Sequence, residues 1–238
     1  MRTHQDPDGP AQGARTSTER LLDRQRQFVT DASHELRTPL TALRVRVEEA
    51  QMHPGDIDLP DLLGHLTGGL DRLENLIDDL LLLSTLDTGP TERLEEVNLT
   101  CLVETVAAHW GEGCDVRLDL ERAVMVEAAS WQITRLFTNL LDNARRHAAR
   151  GLQVGLRRAG GHAELSVADD GPGVRPADRD RVFQPFVRLD AARSRHHGGA
   201  GLGLAIARDI AAAHRGTMHV EDSADGGACF VLRLPLVS

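Results

Sequence analysis

The stretch Leu59–Leu86, LPDLLGHLTGGLDRLENLIDDLLLLSTL, decides the architecture of the first part of the chain. Its seam residues recur at alternating spacings of three and four: Leu59, Leu62, Leu66, Gly69, Leu73, Leu76, Leu80 and Leu83. This spacing is typical of a coiled coil or a helical bundle, so it predicts one long helix. Leu63, Leu70 and Ile77 add a second apolar row, which makes the apolar face too broad for one partner helix to cover.

A second long helix is predicted immediately before it. Apolar residues recur at every seventh position, at Leu22, Val29, Leu36, Leu43 and Ala50. Ser17 or Thr18 can cap the start of this helix, and His53-Pro54-Gly55 ends it because proline disfavours helix at the preceding residue. Two such helices joined by a short turn form a hairpin, and the extent of its apolar surface predicts a homodimeric four-helix bundle.

The composition of the 238 residues excludes several classes of protein. The formal net charge is −9, which argues against a nucleic-acid-binding protein with a basic surface. Aromatic residues make up only 3%, so a stacking platform for bases is not expected either. All 27 basic residues are arginine, and the absence of lysine excludes a Walker-type phosphate loop. We therefore expect no direct binding of nucleic acid.

Cysteine usage and hydropathy bear on the compartment. Cys101, Cys114 and Cys229 follow no metal-binding spacing, which indicates free thiols in a reducing compartment. No stretch reaches the roughly 18 uninterrupted apolar residues of a membrane span, and the polar N-terminus does not resemble a signal peptide. We expect the chain as given to be cytoplasmic, and the sequence leaves open that it is the cytoplasmic part of a longer membrane-bound protein.

The change along the chain from long helical patterns to alternating helical and β-like stretches predicts two folded parts. We expect a disordered segment at 1–16, the helical hairpin at 17–88, a linker at 89–96 and a second domain at 97–238. In this domain, helical patterns near 99–110, 130–149 and 201–214 alternate with short β-like runs. These runs are Val116–Leu120, Ala123–Val126, Leu152–Arg157, Ala163–Ala168, Thr217–Val220 and Ala228–Leu234. The mixture predicts an α+β sandwich with helices on one face of a mixed sheet.

His34 is the first candidate functional residue. With Leu36 at heptad position a, His34 falls at f, the position farthest from the seam. A neutral imidazole is a competent nucleophile near neutral pH, the adjacent Glu35 can accept a ring proton, and the hydroxyl of Thr38, one turn on, can position a water. Pro39 follows inside the helix at a cost of about 3 kcal/mol, which favours a functional reason over the alternative of an ordinary solvated histidine.

Two asparagines and an arginine form the second candidate site. Asn139 and Asn143 lie one helical turn apart on the same face. Their amide oxygens suit the hydrated Mg²⁺ of a nucleotide, and Arg146 extends this face toward phosphate. The alternative is an asparagine pair that only satisfies local backbone groups.

Two glycine clusters follow. Asp169-Asp170-Gly171-Pro172-Gly173 comes directly after an apolar run, where a carboxylate and glycines suit a tight turn with close approach of a ligand. Asp169 can accept a hydrogen bond from an adenine amino group, although most turns of this composition are only turns. The cluster Gly198–Gly203 opens a helix, so its backbone amides can bind phosphate. It follows a long polar loop rather than a first β-strand, which excludes the Rossmann interpretation.

The loop 174–197 between the two clusters has the length and composition of a lid. It contains six arginines on an otherwise acidic chain. Loops this long inside a folded domain are usually functional. Phe183 and Phe186 can anchor the loop on the domain.

These motifs together resemble a known family. Residues 28–40, FVTDASHELRTPL, closely resemble the H-box of sensor histidine kinases of two-component systems. The four later elements, in this order, resemble the N, G1, F and G2 boxes of the ATP-binding domain of that family, within the wider gyrase-like ATPase superfamily. The resemblance covers roughly residues 19–238. It implies that His34 is the phospho-acceptor, that Glu35 assists autophosphorylation and that Thr38 supports phosphatase activity.

The resemblance also implies which residues bind ATP. Asn143 would be the principal Mg²⁺ ligand, Asp169 would recognise adenine, and the loop Gly199–Gly203 would hold phosphate. The nucleotide-binding residues assigned in this way are Asn139, Asn143, Arg146, His147, Asp169, Gly171, Gly173, Gly199, Gly201, Leu202, Gly203 and Leu204. Three positions depart from the family pattern: Arg146 stands where Lys is usual, Asp170 where Asn is common and Gln184 where an acid is common. Arginine keeps the charge but changes the geometry.

We therefore expect an ATP-dependent histidine autokinase. His34 would pass its phosphoryl group to an Asp on the receiver domain of a response regulator, and the chain would be the catalytic part of a cytoplasmic or membrane-bound sensor kinase. One alternative is a gyrase-like ATPase, but such relatives carry a water-activating Glu where this chain has Asn139. The other is a catalytically inactive dimeric scaffold, which predicts broken nucleotide motifs, whereas these motifs are intact.

Overall fold

The computed structural model describes residues 9–55, 58–86, 94–110, 115–189 and 200–237. The chain divides into two compact units, Met1–Ile77 and Asp78–Ser238. The first unit is helical. Helix α1 spans Gly9–Met52 and helix α2 spans Leu59–Leu86, so the predicted hairpin and both ends of its second helix are confirmed.

Helix α1 begins earlier than the sequence pattern predicted. It starts at Gly9, so residues 9–16, which we expected to be disordered, are helical, while residues 1–8 lie outside the described part of the chain. Pro10 occupies the first turn, where its missing N–H costs no helical hydrogen bond. Extending an existing helix adds one hydrogen bond for each residue fixed, which is cheaper than starting a new helix. The helix therefore extends beyond its apolar pattern.

The two helices of the hairpin approach closely at Gly69. A Cβ atom on Gly69 would lie 2.4 Å from Cδ2 of Leu43 on α1. Gly68, the next residue on α2, faces open space, with no atom within 4 Å of such a Cβ. Glycine on the α2 seam therefore allows the leucine on α1 to fill the space between the helices.

We expect Gly69→Leu and Gly68→Leu to have opposite effects on stability. Both changes replace glycine in a helix and gain about 1 kcal/mol of helix propensity. Only Gly69→Leu also forces a side chain into the space of Leu43, which costs about 1–3 kcal/mol or more. Urea unfolding monitored by circular dichroism should show a lower free energy of unfolding for Gly69→Leu and an equal or higher one for Gly68→Leu. Equal stability of the two variants would contradict the packing described here.

In its described residues the second unit contains a mixed five-stranded sheet, a two-stranded sheet formed by β1 and β3, and three helices besides the end of α2. Their bounds are β1 Glu95–Asn98, α3 Leu99–Trp110, β2 Asp115–Leu120, β3 Met125–Ala128, α4 Ser130–His147, β4 Gly151–Ala159, β5 His162–Asp169, α5 Gly203–Ala213, β6 Thr217–Asp222 and β7 Ala228–Pro235. Two single-turn 3₁₀ helices, Pro176–Asp178 and Arg181–Phe183, lie between β5 and α5. The five-stranded sheet has the order β2-β4-β5-β7-β6. Only the β2–β4 pair is parallel, and the other pairs are antiparallel.

Strand β1 was missed by the sequence analysis. It occupies Glu95–Asn98, so residues 95 and 96 of the predicted linker belong to a strand, while residues 89–93 lie outside the described part. It pairs antiparallel with β3, with Val97 opposite Val126. A four-residue strand with two adjacent glutamates carries no alternation to detect. Strand β3 also begins later than predicted, at Met125, because Ala123 adopts a left-handed turn conformation with φ 55°.

The core of this unit lies between one face of the sheet and the helices. Alternate residues of the central strands are buried and stack across the register, as in the pairs Leu156–Leu165 and Val167–Phe230. The buried faces of α4 and α5 complete this core, including the fully buried Phe137. The residues that alternate with these buried ones, such as Arg157 and Arg233, lie on the other, open face of the sheet. The predicted α+β sandwich is thereby confirmed.

The last turns of α2 belong to the second unit. Leu83 and Leu86 are buried, and Asp79 forms an ion pair with Arg135 on α4. Burial raises the pKa of Asp79, against the hydrogen bond and charge of Arg135. The compact units divide after Ile77, and the boundary of the hairpin domain at residue 88 stays a prediction. No helix in the described residues is long and apolar enough to cross a membrane.

Candidate active site

His34 lies on an exposed face of α1. Its side chain is solvent-exposed, as expected for heptad position f, while Glu35 is half-buried. The hydroxyl of Thr38, itself exposed, donates to the backbone carbonyl of His34 at 3.1 Å. Pro39 has no N–H for the carbonyl of Glu35, four residues earlier, and α1 continues through it. The three candidate catalytic residues therefore lie within one turn around an imidazole that is open to a reaction partner.

Helix α4 positions the asparagines and the basic residues of the second site. Asn139 is buried, Asn143 is half-buried, and Arg146 and His147 are exposed. Among the described residues, nothing hydrogen bonds to Nδ2 of Asn139. A buried donor left unpaired costs about 1–3 kcal/mol, so this amide indicates a place for a ligand. Gly203 at the start of α5 is near, since a Cβ there would lie 3.4 Å from Oδ1 of Asn139.

Asp169 is held at the end of β5 with one oxygen fixed. It is buried, and its Oδ1 accepts hydrogen bonds from the amides of Gly171 at 2.9 Å and Ala228 at 3.2 Å. These two bonds leave Oδ2 outside the network. Gly171 also contacts the end of α4, because a Cβ on it would lie 2.3 Å from the carbonyl oxygen of His147. The turn after β5 and the end of the asparagine helix are thus in direct contact.

Gly227 is a site residue that the sequence analysis missed. A Cβ on this residue would lie 2.2 Å from the carbonyl oxygen of Asp169 and 2.5 Å from its Oδ1. Its carbonyl oxygen would lie 3.3 Å from a Cβ on Gly173. The Gly226-Gly227 pair just before the last β-like run was the available signal. Nothing in the linear sequence places that pair beside Asp169, because the contact arises from the β5–β7 pairing.

The second glycine cluster lies at the start of α5. Gly201 has φ +75°, Leu202 is buried, Gly203 begins the helix and Leu204 is half-buried, while Gly199 lies outside the described residues. The amide of Phe186 donates to the carbonyl of Gly201 at 3.0 Å. This bond ties the end of the lid loop to the start of α5.

The described part of the lid, residues 174–189, is anchored by a buried carboxylate and a buried ring. Asp178 accepts hydrogen bonds from Arg175 at 2.9 Å and Arg181 at 2.8 Å. Phe183 is buried and lies edge-on to Phe230, with 6.1 Å between the ring centroids. The guanidinium of Arg208 lies over the Phe183 ring, 5.6 Å from the ring centroid. Of the two predicted anchors, Phe183 packs in the core and Phe186 is half-buried.

Burial and neighbouring charges shift the pKa values of two side chains on α4. Desolvation of the imidazole lowers the pKa of His147, Arg146 lowers it further, and Asp169 opposes them. Burial raises the pKa of Asp142 against the positive charges of Arg146 and Arg135. His147 is therefore mainly neutral near pH 7, while Arg146 supplies positive charge on this face of the helix.

A second missed residue, His214, holds the two helices of the site together. It is buried at the end of α5. Its Nδ1 donates to the carbonyl of Ile210 at 2.8 Å, and its Nε2 accepts from the amide of Ala129 at 3.0 Å. Ala129 immediately precedes α4, so this imidazole links the end of one helix to the beginning of the other.

Asp170 binds the loop after α4. Its Oδ1 accepts hydrogen bonds from the amides of Ala149 at 2.7 Å and Arg150 at 3.0 Å, and its Oδ2 accepts from Nε of Arg150 at 3.2 Å. The hydrogen bonds donated by the backbone amides of Arg150 and Ala149 lower the pKa of Asp170 from 3.8 to about 2. The carboxylate at this position therefore fixes the turn between α4 and β4.

We expect this carboxylate to make stability depend on acid pH. Because its pKa is lower in the folded state, the ionised group stabilises the fold above about pH 4, and this contribution is lost as the pH falls through about 2. Asp170→Asn removes the titrating group. Urea unfolding of both proteins between pH 2 and 6 should show a difference that is constant above pH 4 and shrinks toward pH 2. A difference that does not vary with pH would contradict this role.

Comparison with known proteins identifies two domains in the chain. The model of the His Kinase A (phospho-acceptor) domain matches residues 24–89. The model of the histidine kinase-, DNA gyrase B- and HSP90-like ATPases matches residues 129–238. The chain belongs to the sensor histidine kinases of two-component systems.

Individual relatives agree with this assignment. The probable sensor histidine kinase TcrY of Mycobacterium tuberculosis is 40% identical over 221 residues, which cover 89% of this chain and 46% of TcrY. The histidine kinase AdeS of Acinetobacter baumannii has a similar structure, with a TM-score of 0.71 and 25% identity, over 86% of this chain and 98% of AdeS. The structure of full-length ShkA in complex with AMPPNP matches with a TM-score of 0.64 and 26% identity, over 90% of this chain and 46% of ShkA. The chain spans about half the length of the curated relatives it matches.

Proposed function

We propose that this chain is an ATP-dependent histidine autokinase in which His34 receives the γ-phosphoryl group of ATP. The observation that carries the proposal is the presence, in one chain, of an exposed His34 in a phospho-acceptor domain and a buried Asp169 in an ATPase-type domain. Neither feature alone would separate a kinase from a simple ATPase or from a helical scaffold.

The nucleotide would lie between α4, the turn after β5 and the start of α5. Asp169 would accept the adenine amino group at Oδ2, since Oδ1 is already bound by two amides. The amides at Gly201–Gly203 and the guanidinium of Arg146 would bind phosphate oxygens. That ShkA was solved with AMPPNP supports this assignment.

Asn143, together with Asn139, would hold Mg²⁺ in this site. The unpaired, buried Nδ2 of Asn139 is a donor and fits a hydrogen bond to a phosphate oxygen of the nucleotide, while Oδ1 of the same amide would serve the metal or its water shell. Amide and phosphate oxygens would provide the ligands, because Mg²⁺ prefers oxygen. When bound, Mg²⁺ would offset the negative charge of the phosphates.

The chemistry would be an in-line phosphoryl transfer. A ring nitrogen of His34 forms the N–P bond as the bond between the γ-phosphorus and its bridging oxygen breaks, and ADP leaves with that oxygen. Glu35 accepts the imidazole proton. The exposure of His34 allows the approach of the nucleotide and later of a receiver domain, whose Asp would take the phosphoryl group. Thr38 would position water for hydrolysis of the phosphorylated regulator.

Incubation with γ-labelled ATP tests the autokinase. We expect acid-labile, alkali-stable label on the parent chain and none on His34→Gln. His65→Gln is the matched control, because His65 is an exposed histidine on α2 and its loss should leave labelling unchanged. Label that persists in His34→Gln would overturn the proposal. ATP turnover without phosphohistidine would favour a gyrase-like ATPase, and failure to bind ATP with Mg²⁺ in calorimetry would favour an inactive scaffold.

We further propose that the response regulator is the phosphoryl acceptor and that the same chain dephosphorylates it. The His Kinase A match supports a receiver-domain partner. Transfer from phosphorylated chain to a panel of purified receiver domains, each with its acceptor Asp→Asn control, would identify the regulator. Absence of transfer to any receiver of the source organism would contradict this part of the proposal.

The exposed apolar row on α2 supports a homodimer. Leu63, Leu70 and Ile77 are 53%, 54% and 46% exposed in the single chain. Repeated every seventh residue, they form a continuous stripe that needs a partner. Two copies of the hairpin would cover this stripe in a four-helix bundle.

We expect Leu70→Glu to weaken dimerisation about 100-fold or more. Each dimer would lose two buried leucines, at about 1.5–3 kcal/mol each, and the lower end of their sum, about 3 kcal/mol, corresponds to a factor of about 100. Sedimentation equilibrium would measure the change. Asn75→Glu, an exposed position away from the stripe, is the control and should leave the dimer intact. A parent chain that is monomeric at all concentrations would contradict the dimer.

We also propose that the chain acts in the cytoplasm, in a protein that is attached to a membrane through another segment. The free thiols of Cys101 and Cys229 suit a reducing compartment. That the chain matches about half of each relative supports a larger sensor. Fractionation of cells that carry the natural gene would place the native protein.

A further inference from the structure

A cavity of about 400 Å³ opens at the end of the sheet that lies away from Asp169. Its lining includes His162, at the start of β5, and Arg233, on β7. Asp169 ends the same strand that His162 begins, and seven residues of strand separate them by about 23 Å. The cavity is therefore separate from the proposed nucleotide site.

The cavity carries a net positive charge. Arg215 also lines the cavity, and among the described residues no carboxylate pairs with its guanidinium. Arg233 donates through Nε to Glu164 at 2.8 Å, which leaves its two Nη groups outside that bond. Glu164 is buried and also pairs with Arg157. Arg233 and Arg157, which lies outside the lining, thus share one carboxylate, and Arg215 pairs with none, so the three guanidinium groups exceed the carboxylate by two positive charges.

The charge of Glu164 is retained in this cluster. Burial raises its pKa, but the hydrogen bonds and charges of Arg157 and Arg233 outweigh burial, so the pKa lies below its usual value. Glu164 also fixes Arg233 and Arg157 in place. The guanidinium of Arg233 is therefore held in place at the cavity by an ion pair.

Arg215 adopts a backbone conformation that favours glycine. Its φ is 57°, in the left-handed region, directly after the end of α5. Glycine is the usual residue at this place in a helix C-terminus, and a side chain there is strained. The amides of His214, Arg215 and Gly216 cap the last carbonyls of α5, so the cavity does not face bare helix carbonyls. The strained position instead supplies a guanidinium to the cavity.

We propose that this cavity binds a phosphate dianion, either free or as the monoester of a small polar molecule. Guanidinium groups recognise phosphate oxygens through paired N–H donors, and a dianion matches the two uncompensated charges. A phosphate group fills only part of a 400 Å³ cavity, which leaves room for an attached polar group. The remaining lining is small or polar, including Gly160, Gly216 and Thr217, and contains no bulky apolar side chain that would select an apolar ligand.

The test is a titration of the full chain with inorganic phosphate and with glycerol 1-phosphate at constant ionic strength, followed by amide NMR signals of Gly160, Gly216 and Thr217. We expect saturable shifts at these residues, which report on this cavity and not on the nucleotide site. Arg215→Gly should weaken binding about tenfold or more, because it removes a charged donor. The same change should raise Tm, since glycine adopts the left-handed conformation without strain, so lost binding would not reflect misfolding.

Arg117→Gln is the matched control, because Arg117 is an exposed arginine on the far edge strand β2 of the same open face. It should leave the affinity unchanged. Tighter binding of glycerol 1-phosphate would assign the site to a monoester, and equal binding would assign it to free phosphate. The proposal is overturned if the shifts do not saturate, if acetate produces them equally, or if Arg215→Gly binds phosphate as the parent does.

Discussion

Asp169→Asn should bind ATP about 100-fold more weakly than the parent chain while remaining folded. The amides of Gly171 and Ala228 both donate to Oδ1 of Asp169. In the variant the amide oxygen would keep these two bonds, so Nδ2 would take the position of Oδ2. A donor would then face the adenine amino group in place of an acceptor, at a cost of about 3 kcal/mol for a lost charged hydrogen bond and a donor–donor contact.

Isothermal titration calorimetry with a non-hydrolysable ATP analogue measures this effect. Asp170→Asn is the matched control, since Asp170 lies next in the chain but binds the amides of Ala149 and Arg150 on the loop after α4. Its affinity for ATP should stay within about threefold of the parent value, because its bonds lie outside the proposed adenine contact. If Asp169→Asn binds the analogue as the parent chain does, adenine is recognised elsewhere.

Gly227→Ala should be the most destabilising single methyl addition in the site. The new Cβ would lie 2.2 Å from the carbonyl oxygen of Asp169, a backbone atom that cannot rotate away. Relief of this contact requires β5 and the turn before β7 to separate, which costs about 3 kcal/mol, at the upper end for added atoms in a packed region. Asp169 would move with its strand, so we also expect loss of ATP binding.

Gly226→Ala separates backbone strain from the contact with Asp169. Gly226 has φ +97°, so alanine there is strained by about 1–2 kcal/mol, but no atom lies within 4 Å of its Cβ. Thermal unfolding should therefore show a smaller loss of stability than for Gly227→Ala, with ATP affinity retained. Equal losses of ATP affinity in both variants would show that the turn as a whole, and not the approach of Gly227 to Asp169, supports the site.

The helical part of the fold was predictable where strong local signals coincide. The apolar pattern of Leu59–Leu86 predicted the bounds of α2, and Pro54 predicted the end of α1 to within two residues. The start of α1 was not predictable, because residues 9–16 carry no apolar period and simply continue an existing helix. Strand β1 was missed for a different reason, since it depends on pairing with β3 rather than on a pattern of its own.

The candidate site was predictable wherever its residues belong to one local motif. His34, Glu35 and Thr38 share a helix turn, and Asn139 and Asn143 share another, so linear spacing brings them together. Gly227 and His214 could not be predicted, because the residues they contact, Asp169 and Ala129, are distant in sequence.

By itself the sequence of this chain determined that any phosphate site in it works without lysine. A chain whose 27 basic residues are all arginine must use glycine amides, asparagines and guanidinium groups for this purpose. Tertiary structure decided which carboxylate pairs with each of several of these arginines. It pairs Arg175 and Arg181 with the buried Asp178, and it gathers Arg157 and Arg233 around Glu164 at the opposite end of the sheet from Asp169. The physical reason is that an ion pair depends on distance in space, and strand pairing brings together charges whose separation along the chain carries no signal.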